Sequence, residues 1–126
     1  MSVASSTEGD PVLAVLVAHA EQAGLRVPLT LFVGGTIISG ILTSVVEWAD
    51  EVEATFPSHD GEGMGIGEAI ATGVKEAAES APSDAPYRII HLKDVVYMGQ
   101  PVVNGPPWRG RLADVSGWMF GALGIG

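Results

Sequence analysis

Three histidines are the first residues to weigh for chemistry, because imidazole serves both as a metal ligand and as a general base near neutral pH. His19, His59 and His91 stand far apart, with none of the short spacings that bring two ligands to one metal. Nucleophilic catalysis needs Ser, Thr or Cys beside a base. Cysteine is absent, and Ser39 lacks the G-x-S-x-G frame of a nucleophile elbow. The glycines at 61, 63, 65 and 67 invite a phosphate-loop reading. Their spacing does not fit G-x-G-x-x-G, no Gly-Lys-Ser/Thr follows, and Asp60, Glu62 and Glu68 would repel phosphate. Asp60 and Glu62 also fall short of the ligand pattern of a calcium loop. No catalytic residue, metal site or cofactor is expected.

Residues suited to protein contact are clustered instead. Trp108, Trp118 and Phe120, with Arg109 and Arg111, fall within thirteen positions. Trp and Arg dominate the energetics of protein interfaces. Trp118 and Phe120 read as completing the core, with a partner contact as the alternative; a loop containing Pro101, Pro106 and Pro107 leads into Trp108, which is either presented by it or joins the core. His91 and Lys93 alternate onto one side of a strand, leaving Ile90 and Leu92 for the core. That polar side is either a binding patch or a plain solvent face. The candidate protein-binding set is therefore Trp108, Arg109, Arg111, His91 and Lys93.

These residues must be held by a framework. Residues 1–9 are Ser-, Thr- and Gly-rich and read as a disordered tail, with one α+β domain over 10–126. Asp10-Pro11 opens a helix, Leu13, Leu16, Val17 and Ala20 form its buried stripe, and Gly24 ends it. Val12 and Val15 lie off the stripe; deep burial accounts for them, with a partner contact as the alternative. Leu29–Val33 and Thr36–Ser44 form a hairpin about Gly34-Gly35, and Gly40 marks a bulge or bend in its second strand. For Val45–Phe56, periodicity leaves open whether the bent strand continues or a helix begins. Residues 57–67 form an acidic loop, Glu68–Ser80 a surface helix and residues 81–86 a linker. Tyr87–Lys93 is a strand, Asp94 a turn or bend, and Val95–Met98 a second short strand. Trp108–Leu112 is a candidate strand, Asp114–Gly117 a turn, and Trp118–Phe120 with Ala122 and Leu123 the last strand or a closing turn.

The chain has 126 residues, 47% of them apolar, which is enough for one buried core. The lack of cysteine fits a reducing compartment. No secretory signal is evident, and the apolar run from Pro11 to Ala20 is too short to span a bilayer. The net charge of −9 is uneven. Thirteen acids precede Tyr87 against only Arg26 and Lys75, whereas Arg88, Lys93, Arg109 and Arg111 outnumber Asp94 and Asp114 beyond it. Such a chain repels nucleic acid and anionic membranes. The asymmetry suits either self-association, acidic face to basic face, or simple solubility.

Two stretches carry a family likeness. Leu29–Ser44 contains V-G-G-x-x-I-S-G. The later stretch holds Ile90-His91-Leu92-Lys93-Asp94 and then the W-R-G-R-L-x-x-V-x-G-W-x-x-G block from Trp108 to Gly121. In order and approximate spacing these resemble the gas vesicle accessory protein U (GvpU) family. The resemblance implies a cytoplasmic, non-shell helper of gas vesicles acting by protein contact in their assembly or clustering, with shell or other accessory proteins as partners. It brings no catalytic residues or cofactor. The helix followed by a bent, Gly-containing hairpin also resembles the small barrels of Sm-like proteins, in architecture only. The expected fold is thus α+β: a strongly curved antiparallel sheet of about four or five strands, barrel-like, with an N-terminal helix and an inserted second helix. Its exposed edges favour a homo-oligomer. A self-associating scaffold or a small-molecule-binding module unrelated to gas vesicles is the alternative function, and a buried polar pocket around His91 would support the latter.

Overall fold

Asp10 starts the first helix, as predicted. Its carboxylate accepts hydrogen bonds from the Val12 and Leu13 amides at 2.8 and 3.1 Å, satisfying two of the donors a helix leaves unpaired at its N-terminus. The helix, α1 (Pro11–Ala23), ends at Gly24, whose φ of 71° forms a left-handed cap. In this computed structural model, which describes residues 9–56, 65–82, 85–98 and 105–121, Leu13, Val17 and Ala20 of α1 are buried. Val12 and Val15 are more than half exposed. This corrects the expectation of deep burial: α1 is covered along one stripe only.

The predicted hairpin is β1 (Val27–Val33) and β2 (Thr36–Thr43), in register from Val33↔Thr36 to Val27↔Leu42. Gly34 and Gly35 have φ of 54° and 83°, the left-handed pair whose twist matches a two-residue hairpin. Strand β3 (Ile89–Tyr97) pairs with β2, β4 (Trp108–Arg111) with β3, and β5 (Val115–Phe120) with β1. All pairs are antiparallel and the order is β4-β3-β2-β1-β5. Strands β4 and β5 lie on opposite edges, yet only the 3-10 turn Leu112–Asp114 separates them in the chain. A flat sheet would set the edge strands roughly 19 Å apart, and the chain from Arg111 to Val115 reaches about 14 Å at full stretch. The sheet must therefore curl, and it forms a half-barrel.

Two residues make the bend. The register between β2 and β3 shifts between Ser39 and Ile41. A Cβ at Gly40 would lie 3.0 Å from the Lys93 carbonyl oxygen and 3.2 Å from the Leu92 Cβ, so only glycine lets the strands approach this closely. Across the bulge, Asp94 has φ of 53°. It bends the chain without ending the strand, so β3 is one nine-residue strand where a strand, a turn and a second strand were expected. The expected turn at Asp114–Gly117 is likewise the 3-10 corner, with β5 starting at Val115. Leu29, Leu31, Leu42, Ile90 and Leu92 join Leu13 and Val17 of α1 and Leu112 of the corner in one core.

The segment that periodicity left open is a helix, α2 (Val45–Thr55). Two bonds at its first turn decide it. The Ser44 hydroxyl accepts from the Glu47 amide at 3.2 Å. The Glu21 carboxylate, from α1, accepts from the Val45 amide at 3.0 and 3.2 Å, placing a negative charge at the positive end of the helix. Trp48, Ala49 and Val52 form the buried stripe of α2. Helix α3 (Ile66–Ser80) begins two residues before the predicted start and buries Gly67 and Ala71. It rests on α2, and Lys75 reaches Asp50 at 2.9 Å. The predicted tail up to residue 8, positions 57–64 of the acidic loop with His59, Asp60 and Glu62, positions 99–104, and Ala122 and Leu123 lie outside the described residues.

Candidate functional site

Strand β4 carries three of the five predicted contact residues, and its pairing with β3 brings in a fourth. Arg109 sits opposite His91 and Trp108 opposite Leu92. Alternation sends Trp108 and Gly110 to one face, Arg109 and Arg111 to the other. The Trp108 ring folds over Gly110, where a Cβ would lie 2.6 Å from ring carbons, and it packs half-buried against the core. Arg111 is exposed and holds Asp114 through two hydrogen bonds of 3.0 Å.

His91 is not on an open polar face. It is 3% exposed, because α2 lays Trp48 across it with ring centroids 5.3 Å apart. This corrects its placement on a surface patch. Arg109 closes the cluster: its guanidinium lies 5.5 Å from the centre of the Trp48 ring, and its Nε donates to His91 Nε2 at 3.2 Å. Arginine has no acceptor, so Nε2 is the bare nitrogen and the imidazole proton resides on Nδ1. Burial, with the nearby Arg109 charge, pushes the His91 pKa down to about 3, and the ring is neutral at physiological pH. Nδ1 is buried without a hydrogen-bond partner. It faces Glu21, whose Oε2 is 3.8 Å away. Burial raises the Glu21 carboxyl above its ordinary value, against the lowering effect of the Val45 amide.

Lys93 is turned inward as well. Its Nζ lies 3.4 Å from Glu47 Oε2, and Arg26 binds the same oxygen. Burial works against the Glu47 charge, but the bonds from Arg26 and Lys93 prevail and hold its pKa below the ordinary range. Lys93 thus ties β3 to α2 and is not free for a partner.

Exposed apolar side chains also lie on the other edge. Trp118 packs on the core and meets Phe120 edge to face, centroids 5.1 Å apart. Phe120 itself is 63% exposed and Met119 47%; Phe120 does not complete the core. These residues, with Arg109 and Arg111, are what the two sheet edges present to solvent.

One feature had no signature in the sequence. A groove of about 840 Å³ runs between α2, α3 and the start of β3. Val45, Val46, Val74, Ala78, Tyr87 and Ile89 contribute its walls, and Glu21, His91 and Arg109 also border it. Its existence depends on α2 being a helix, and nothing in the spacing of Glu21 and His91 links them.

The described helices include none long and apolar enough to cross a membrane. No curated protein and no solved structure matches the chain. A model of the family described as gas vesicle protein GvpU-like matches residues 10–123. That span runs from the cap of α1 past the end of β5 and includes both motif blocks, and the chain belongs to the GvpU-like family of gas vesicle proteins.

Proposed function

We propose that this protein is a cytoplasmic, non-shell accessory protein of gas vesicles, acting as a homo-oligomer through protein contacts in vesicle assembly or clustering. The observation that carries this reading is the pair of open sheet edges. Among the described residues no strand pairs with the outer side of β5, which offers Met119 and Phe120, or of β4, which offers Arg109 and Arg111. An uncovered edge with exposed apolar side chains is a template for adding a strand from another chain. The partners are shell or other accessory subunits, or a second copy. Catalysis has no part in this role: burial, helped by the Arg109 charge, keeps the imidazole neutral and makes it a poor base near neutral pH.

The test uses residues that present themselves to solvent. Trp108 and Arg109 are poor probes, since both also pack within the domain. Met119→Lys with Phe120→Lys places charge on the edge and leaves the core intact. The double variant is expected to keep its circular dichroism and lose co-sedimentation with purified gas vesicles. Co-sedimentation equal to that of the parent protein would refute the assignment of β5.

A further inference from the structure

We propose that the groove between α2, α3 and the start of β3 is a binding site for a small amphiphile with an apolar body and one uncharged head that both accepts and donates a hydrogen bond, an alcohol or an amide. The site shares Arg109 with the β4 edge, but this inference does not rest on the role of the edges. The volume, about 840 Å³, lies within the range of small-molecule pockets. Apart from Lys75, Glu79 and Arg88, the lining residues from Val45 to Ile89 are apolar or small. The head is specified by two groups that border the groove. His91 Nδ1–H is a donor with no protein partner on a side chain that is 3% exposed, and a buried donor left unpaired costs about 1–3 kcal/mol. Its tautomer is fixed by Arg109 on the opposite nitrogen.

Glu21 supplies the complementary acceptor. Its carboxylate is 3.8 Å from Nδ1, too far for a hydrogen bond. Nδ1 is sealed from solvent, so a head must first part the side chains over it; an oxygen then placed about 2.8 Å from each would accept from Nδ1–H and donate to the carboxylate, and an amide does the same through its two ends. A carboxylate head would instead meet the Glu21 oxygens with like charge. A head lacking a donor would satisfy His91 alone.

Octanamide is the probe, titrated calorimetrically against the full-length protein, with N,N-dimethyloctanamide and octanoate as comparators. Octanamide is expected to bind, with each comparator weaker by about tenfold or more. The ¹⁵N resonances of His91 should shift on binding. Ala77→Trp, which fills the groove from the exposed side of α3, should abolish binding while circular dichroism is unchanged; Gly73→Leu serves the same purpose should the first variant misfold. Failure of octanamide to bind, equal affinity for the dimethyl compound, tighter binding of octanoate, or binding that survives both filling variants would each overturn the proposal.

Discussion

At the scale of single residues, the His91 cluster makes stability depend on pH. A histidine whose pKa falls from 6.5 to about 3 on folding binds its proton only in the unfolded chain between those values. Stability contributed by the neutral ring is therefore complete above about pH 6.5 and is lost as pH falls toward 3, at up to about 1.4 kcal/mol per pH unit. Glu21, raised in the fold, acts oppositely between its ordinary and its raised value, where the folded state holds the extra proton. Urea denaturation at pH 7, 6, 5 and 4 should show stability falling with pH; His91→Gln should flatten the curve and Glu21→Gln should steepen it. Arg109→Lys removes the Nε–H that His91 accepts and the planar contact with Trp48. A loss of about 1 kcal/mol and a change in Trp48 fluorescence are expected. Alternation along the strands correctly separated Ile90 and Leu92 from His91. It could not reveal the burial of His91, because the covering side chain, Trp48, belongs to a segment whose conformation the sequence left undecided.

Among the elements, α1 and the β1–β2 hairpin were legible because their signals are local: a cap and Pro at one end of α1, Gly24 at the other, and two glycines at the hairpin turn. Helix α2 was not, since one of the bonds that starts it comes from Glu21, twenty-four residues upstream. Continuity of β3 through Asp94 was also hidden, as a left-handed Asp reads as a turn unless the bulge at Gly40 across from it is known. These contrasts predict how substitutions behave. Gly73 lies in the exposed middle of α3 with nothing within 4 Å of an added Cβ, so Gly73→Ala should stabilise the protein by about 0.5–1 kcal/mol. Gly40→Ala must push against the Lys93 carbonyl and Leu92 and should destabilise by about 1–3 kcal/mol. Thermal unfolding of the two variants, measured side by side, should move in opposite directions.

For the whole molecule, charge and topology act together. The acidic excess lies before Tyr87, whereas β4 at one sheet edge bears Arg109 and Arg111. The opposite edge is apolar at Met119 and Phe120. The Met119→Lys, Phe120→Lys variant should therefore run at a smaller mass than the parent in analytical ultracentrifugation, and an unchanged mass would place self-association elsewhere. The short corner at Leu112–Asp114 has a different consequence. Leu112 is fully inside the core and its amide binds the Arg88 carbonyl at 2.8 Å, so neither outer strand can detach without dragging on a pinned residue that also anchors the other. Fraying at the sheet margins is ordinarily independent and shallow. Here the backbone amides of β4 and β5 should share one opening event, and deuterium uptake at the two margins should rise in step although four strand spacings separate them.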